Sequence, residues 1–585
     1  MAVTNVKAVD PILVSVIKNR LDVITKEMGQ VMLRTTRSPI FSEARDFVTA
    51  IYDRYGRNIA QTSYIPVLVG ATPWAIRAFA EAFEDDMQDG DIYILNDPYK
   101  GNNHSPDITI AKPVFYEGKL AYWALSKGHH IDIGGKGVVG YNPLATSIYD
   151  EGLQIPPVKL YEAGKPNKSL IRLFLNNVIL APLVEGDLEA QIGAVQVGER
   201  LIKKLVGKYG MSCLDQVTEA MLDAAERQMR AAIRNIPDGI YTGEAIVDND
   251  GLHEEPRVHI RVTSTVSGDE ITFDFNESDS QVDGYLNSPI PNTVSATHIG
   301  LYLTIEPTIP RNEGATRPIH VLADSGKVVN PLPPAPVVLC TVSATEAIVE
   351  AVLDSLSHAM PERVPAGWSR MFMPNTTGIN YKNQRPFGEL HAISRGGSGA
   401  MPNGVDGYDH IGSVVTLGGF RASDPEIFEL TTPFLLRYYG YQQDSGGPGE
   451  SRGGLGITAE FEIGADNLGC VDWGNGALPE TAAVGRQGGH SGIPNYHRII
   501  HADGSMYEPH PNQFIEIRKG DHFQIVAGGG GGYGDPRKRP VERVLHDVKE
   551  GFVSVKQARE MYAVVTDEHG ALDAEATAKL RGDKY

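Results

Sequence analysis

The chain has 585 residues, 41% of them hydrophobic and 22% charged, and a formal net charge of −20. This is the make-up of a large globular protein with apolar residues for more than one core, and the acid excess excludes a nucleic-acid binder or a protein held on an anionic membrane, because no basic surplus meets the phosphates. Cys213, Cys340 and Cys470 lie far apart and form no CxxC pair, which argues against a disulfide framework and a thiolate zinc site; with no apolar run of membrane length and no signal-peptide core in MAVTNVKAVDPIL, a cytoplasmic protein is expected.

Asp10 and Pro11 read as the cap and first residue of a helix. Leu13, Ile17, Leu21, Ile24, Met28 and Val31 continue it at steps of three and four. DFVTAIYDRYGRNIAQ reads as a hairpin around Tyr55-Gly56. Thr72-Pro73 is expected to open a second helix running to about Met87. A short strand (91–95) follows, then the loop NDPYKGNNHSPD, then strands over 107–116 and 119–130. Residues 182–235 carry two long helices broken at Tyr209-Gly210. From Asp238 the pattern turns to strands with Gly, Asn and Asp turns, including the hairpin AIVDNDGLHEEPRVHIRV, and is interrupted only by the helical TEAIVEAVLDSLSHAM. Two short helices close the chain near 541–550 and 554–562. The expected fold is α+β and multi-domain: a mixed α/β region over 1–235 carrying a metal site, a mixed β-rich region over 236–380, a Gly-rich β region over 381–535 and a helical tail over 536–585.

The loop and the strands after it interrupt apolar runs with imidazoles and carboxylates. If Glu117-Gly118 alone make the turn, Tyr116 faces Lys119, and Asp107 and His129 fall diagonal on opposite faces. With a loop one residue longer, or a bulge, Asp107 faces His129 with Cβ atoms about 5 Å apart, within the span of one metal ion. Pro113 inside the first strand points to an edge strand or a bulge. His104 precedes Asp107 by three residues, and Pro106 makes HSPD a turn rather than a helix, which can bring both side chains to one point. Imidazole with carboxylate suits Zn²⁺, Mn²⁺ or Fe²⁺. His130 alternates to the other face, and Asp132 repeats the His-x-x-Asp spacing as a candidate acceptor orienting an imidazole.

Other motifs carry less. GGGGGYGDP (528–536) holds a G-x-G-x-x-G spacing at Gly529, Gly531 and Gly534, but Asp535-Pro536 stands where a phosphate-binding helix would begin, so a tight glycine turn is expected. DSGGPGESRGGLG (444–456) reads as a close backbone approach to another segment or subunit. The sequence has no P-loop and no G-x-S-x-G elbow, and Cys340, in a Pro- and Val-rich run, reads as a buried structural thiol.

SEARDF, NDPYKGNNHSPD, GHHIDIGG, EGDLEAQIGA, NSPIPNTVSAT, RNEGATRPI, DSGGPGESRGGLG and GGGGGYGDP, in that order along nearly the whole chain, resemble the hydantoinase B/oxoprolinase family, which includes subunits of ATP-dependent hydantoinases, 5-oxoprolinases, caprolactamase and acetone or acetophenone carboxylases. The resemblance implies a B-type subunit of a cyclic-amide hydrolase. A separate hydantoinase A-type chain would bind ATP and Mg²⁺ and phosphorylate the substrate, the two chains forming a hetero-oligomer expected to be α2β2. It implies a metal held by Asp46, His104, Asp107 and His129, of which Asp46 is supplied by the resemblance alone. Asp132 or His130 is then a candidate base or support for the ligands. The alternatives are a subunit of an ATP-dependent ketone carboxylase and a non-catalytic scaffold.

Overall fold

The computed structural model describes residues 9–62, 64–567 and 569–582; residues 1–8, part of the segment read above for a signal peptide, lie outside them. Helix α1 (Pro11–Thr35) begins where the Ile12 N–H donates to the Asp10 carboxylate, and the stripe of Ile17, Leu21, Ile24 and Met28 is buried. In chain order there follow β1 (Phe47–Asp53), β2 (Asn58–Gln61), α2 (Pro66–Ala82), β3 (Ile92–Leu95), β4 (Asp107–Tyr116), β5 (Lys119–His129), β6 (Val158–Glu162), β7 (Lys165–Pro166), α3 (Lys168–Leu175), α4 (Ala181–Tyr209) and α5 (Met211–Ile233). The seven strands form one antiparallel sheet in the order β2-β1-β5-β4-β3-β6-β7. Helix α4 packs on β4 and β5 and on α1, and α2 also packs on β1, β5 and β4.

Two expectations change here. Helix α2 starts at Pro66, not at Thr72-Pro73, and runs through Pro73. A proline cannot donate to the carbonyl four residues back, but the Thr72 hydroxyl donates to that Val69 carbonyl at 2.6 Å, so the break costs less. For Pro113 the bulge alternative holds, with the register shift at Val114/Phe115 just after it, and the edge alternative does not. Strand β4 is central, and its ladder with β3 ends at Ala111, so no bond to that neighbour is lost.

Next come β8 (Gly239–Val247), β9 (Val258–Ser267), β10 (Glu270–Asp274), α6 (Ile290–Tyr302), α7 (Glu313–Thr316), β11 (Ile319–Leu322) and α8 (Ser343–Ala359). The strands pair in the order β11-β10-β9-β8, and α8 packs across β8 and β9 and against α6. Helix α6 was not expected from IPNTVSATHIGLY, whose proline and β-branched residues disfavour a helix. Its proline falls in the first turn, where no N–H is needed, and Thr297 and Ser295 spend their hydroxyls on the Thr293 and Val67 carbonyls.

The remainder contains β12 (Phe372–Asn380), β13 (Arg385–Leu390), α9 (Pro425–Thr431), β14 (Phe434–Tyr441), β15 (Ile457–Ile463), β16 (Gly469–Gly474), β17 (Tyr496–Ile500), β18 (Met506–Tyr507), β19 (Gln513–Phe514), β20 (His522–Val526), α10 (Val541–Lys549), α11 (Val555–Glu560) and α12 (Ala574–Arg581). They form sheets β13-β12-β16-β19 and β14-β15-β20-β17-β18. The first apolar core runs from Ile17 past residue 360 and takes in Trp473. A second lies between residues 387 and 527, and a third around Val544 and Tyr562.

The glycine-rich runs pack backbone on backbone. The N–H of Gly530 donates to Gly454 O, that of Gly454 to Ser398 O and that of Gly447 to Gly530 O, at 2.8 to 2.9 Å. A Cβ on Gly530 would stand 1.8 Å from the Ser398 carbonyl oxygen, and one on Gly453 1.9 Å from that of Gly530. The run at 528–536 is therefore a close approach, with a left-handed glycine only at Gly534, rather than a tight turn throughout. The helical turn that directly follows it is a short 3-10 segment, Pro536–Lys538.

Candidate metal centre

The β4–β5 hairpin sets the register of the site. Glu117 and Gly118 have φ of 48° and 76°, a two-residue turn of the type that matches strand twist, and Tyr116 pairs with Lys119. Beyond Phe115–Leu120 the register shifts by one residue, so Val114 pairs with Tyr122 and Asp107 with His129. The bulge, not a longer loop, puts the carboxylate and imidazole opposite each other.

Asp46 arrives from the other side. Strand β1 pairs Phe47 with Gly128, and one step further the His129 N–H donates to the Asp46 carbonyl at 3.0 Å. Asp46, directly before β1, thus stands abreast of His129 at the end of β5 and Asp107 at the start of β4. The chain reaches this point through a π-helical turn, Ile40–Ala44, and a left-handed Arg45. Asp187 of α4 anchors the approach, accepting the N–H groups of Arg37 and Ser38 at 2.9 and 3.0 Å and the Thr36 hydroxyl.

His104 enters from the loop before β4. Its Nδ1 lies 2.6 Å from the Val338 carbonyl oxygen. That bond requires the proton on Nδ1 and leaves the Nε2 lone pair facing inward. Nε2 is 3.0 Å from Asp107 Oδ1 and 3.2 Å from His129 Nδ1, which is 3.5 Å from the same oxygen. Three buried donor atoms therefore form a triangle with sides of 3.0 to 3.5 Å. Bonds of about 2.0–2.1 Å at tetrahedral angles place ligand atoms about 3.3 Å apart, so the triangle fits a small divalent cation. Asp107 Oδ2 and His129 Nε2 have no hydrogen-bond partner among the described residues, leaving further coordination or hydrogen-bonding capacity.

These groups line a cavity of about 40 Å³ together with Asp46, Tyr141, Trp473, Leu68 and Thr416. That volume takes an ion with a water. Tyr141 stacks on Trp473 with ring centroids 4.3 Å apart and lies 6.0 Å from the His129 ring. Burial raises the Asp46 carboxyl to about 7, against the pull of His129 and with the help of Asp107. Burial also pushes Asp107 upward, but His104 and His129 outweigh it and hold that carboxyl below its usual range. Burial, then the Asp46 and Asp107 charges, raise the Tyr141 hydroxyl well above 10, so Tyr141 keeps its proton. Lys127, two residues before His129, is lowered to about 8 by burial and is held by Asn103.

His130 and Asp132 lie elsewhere. Strand alternation turns His130 to the α4 face, where its Nε2 bonds the Gln191 side-chain oxygen at 2.8 Å; Gln191 Nε2 donates to the Ile108 carbonyl at 2.9 Å, behind Asp107. Asp132 accepts the N–H groups of Gly134, Ile179 and Leu180 at 2.6 to 2.8 Å and ties the loop before α4. Neither lines the cavity, which corrects the expectation of a base at these positions.

Glu151 was missed. It is buried, and it accepts the N–H groups of Val337 and Val338 at 2.5 and 2.7 Å, holding in place the Val338 carbonyl that orients His104. Burial raises its carboxyl to about 8. In the sequence Glu151 follows Asp150 in an ordinary turn, and nothing there points 186 residues ahead.

The whole ordered set of segments can now be placed among known proteins. Residues 10–536 match the family model described as Hydantoinase B/oxoprolinase. The chain belongs to the hydantoinase B/oxoprolinase family. Members similar to it include the beta subunit of caprolactamase from Pseudomonas jessenii, 37% identical over 574 residues, with 97% of this chain and 98% of the relative covered. The B-type subunit of a putative D-/L-hydantoinase from Pseudomonas sp. (strain NS671) is 30% identical over 602 residues, covering 99% of each. The crystal structure of the ATP-dependent caprolactamase from Pseudomonas jessenii superposes with a TM-score of 0.92 at 36% identity, over 98% of this chain and 100% of that one. Acetone carboxylase in its nucleotide-free structure shares the fold, with a TM-score of 0.88 at 20% identity, over 98% of this chain and 82% of that one.

Proposed function

We propose that the chain is the B-type subunit of an ATP-dependent cyclic-amide hydrolase, opening a hydantoin, 5-oxoproline or lactam ring after an A-type partner has phosphorylated the amide oxygen. Membership of the family and the likeness to caprolactamase and hydantoinase subunits support the reaction class. One observation carries the site: two imidazole nitrogens and a carboxylate oxygen, all buried, converge within 3.5 Å.

Asp46, His104, Asp107 and His129 would hold a divalent cation, Zn²⁺, Mn²⁺ or Fe²⁺, and these oxygen and imidazole donors suit all three. Bound there, such an ion supplies Lewis acidity and brings the pKa of water toward neutrality. The protein's part is positional. Val338 fixes the His104 tautomer, Asp107 stays ionised, and Tyr141, in the cavity lining, carries a hydroxyl that keeps its proton. A lactam ring does not fit in about 40 Å³, so turnover requires this cavity to widen. ATP and Mg²⁺ belong on the partner, in keeping with the absence of a P-loop in this sequence.

The test is turnover of the chain with its A-type partner, ATP, and a panel of hydantoins, 5-oxoproline, lactams and ketones, with metal content read in parallel. Amino-acid release that Asp107→Ala abolishes, together with loss of the metal, is expected. Bicarbonate-dependent carboxylation of a ketone would move the chain to the carboxylase branch. Full turnover and full metal content in Asp107→Ala would remove the site assignment.

A further inference from the structure

The first turn of α2 has two faces. Ile65, Val67 and Leu68 look into the metal cavity, while Pro66, Val69 and Gly70 line a separate cavity of about 390 Å³; Thr416 and Leu417 divide in the same way. The larger cavity lies among α2, α6, α7 and β11, and its apolar wall includes Val69, Ile299, Ile319 and Leu417. Its polar groups are cationic or neutral, apart from Glu313. That carboxylate is already engaged, 3.7 Å from Arg77 and accepting the Asn58 N–H at 3.4 Å. Arg311 is half-buried, with its guanidinium 5.5 Å from the Tyr302 ring centroid. Among the described residues it makes no ion pair and no side-chain hydrogen bond, so its five N–H donors are unspent. The side chain of His298, in the same lining, forms no hydrogen bond to the described residues either, and burial lowers its imidazole to about 4, so it is neutral at neutral pH.

We propose that this cavity binds a small molecule that joins a carboxylate to an apolar body, with the Arg311 guanidinium taking the carboxylate. A guanidinium fork matches a carboxylate in two parallel bonds, the apolar wall takes the body, and the volume is that of a small-molecule site. An exposed arginine would be solvated and indifferent. This one sits over an aromatic ring at a concave apolar surface, on a chain whose net charge of −20 otherwise repels anions. The site is independent of the reaction proposed for the metal centre.

Titration calorimetry on the full-length chain tests it, with hexanoate as probe, hexan-1-ol lacking the charge and inorganic phosphate lacking the apolar body. Hexanoate should bind, and the other two should bind roughly tenfold or more weakly, as the loss of a charge-assisted bond requires. Arg311→Gln should weaken hexanoate by a similar factor, with Arg311→Lys between the two, since charge is kept and the fork is lost. Asp107→Asn, with the metal cluster disabled, should bind hexanoate as the unaltered chain does. Hexanoate binding that survives Arg311→Gln, that vanishes in Asp107→Asn, or that phosphate or hexan-1-ol equals would overturn the proposal, as would no binding at all at millimolar concentrations.

Discussion

The metal centre and the glycine assembly are built on opposite terms. At the metal centre, backbone register exists to bring side chains together: Asp46, directly before β1, stands abreast of His129 on β5 and Asp107 on β4. In the glycine assembly the side chains are absent so that backbones can meet, and Gly397, Gly454 and Gly530 admit carbonyl oxygens into space a Cβ would fill. The first region is therefore expected to tolerate isosteric change with the fold intact and the chemistry lost. The second should lose the fold at a single methyl group.

The largest effect follows from that second claim. Gly530→Ala places a methyl 1.8 Å from Ser398 O, and the obstacle is backbone locked in its own hydrogen bonds. The cost exceeds about 5 kcal/mol, at the extreme of single substitutions, so soluble yield should collapse. Gly193→Ala is the control. Gly193 lies inside α4, and a Cβ there would meet Val31 Cγ1 at 3.5 Å, an ordinary contact. That change should stabilise the helix by about 0.5–1 kcal/mol. Equal solubility of the two variants would break the contrast.

The second effect probes how the metal centre is held. Glu151→Ala frees the Val337 and Val338 N–H groups and loosens the carbonyl that orients His104. Metal affinity should fall by about 10–100-fold, measured by competition with a chelator. Glu151→Gln keeps an acceptor oxygen and should restore most of the affinity. A Gln variant as weak as Ala would mean that charge, not position, is what Glu151 supplies.

How much of this was legible follows the same division. The helical stripe of α1 and the β4–β5 strands could be read because apolar spacing is local, and Asp107 opposite His129 followed from alternation once a bulge was allowed. Asp46 could not be read from spacing, because nothing local says that β1, paired with β2 on one side, has β5 on the other. His130 and Asp132 looked like parts of the site because they repeat its residue types, yet strand alternation sends one to Gln191 and backbone donors consume the other. Of the glycine runs, 444–456 announced a close approach without naming the segment it meets, while 528–536 read as a turn, because glycine content alone does not separate the two.

A smaller effect concerns pH. With the Asp46 carboxyl raised to about 7, the metal-free folded chain binds a proton that the unfolded chain releases near pH ~4. Its contribution to stability is fully present below about pH 4 and is lost as pH rises to about 7. A cation must displace that proton, so metal affinity should rise with pH up to about 7, by at most about tenfold per unit from this group, and then flatten with respect to it. Asp46→Asn should flatten this part of the profile and weaken binding throughout. An unchanged slope in that variant would separate Asp46 from the ligand set.

The smallest effect decides what Asp132 does. Its Oδ2 accepts two backbone N–H groups, from Ile179 and Leu180, and its Oδ1 accepts that of Gly134. In Asp132→Asn one oxygen becomes an NH₂ that faces donors, and either the pair from Ile179 and Leu180 or the bond from Gly134 is lost. Such a loss costs about 1–3 kcal/mol, so the melting temperature should drop by a few degrees while metal content and KM stay where they were. A base acting on the reaction would behave in the opposite way, with kcat falling by about 10²-fold or more and thermal stability barely altered. The two signatures do not overlap, because the Asp132 carboxylate is spent on the loop before α4 and stays out of the cavity lining, and a loosened loop reaches the ligands only through the strand that carries them.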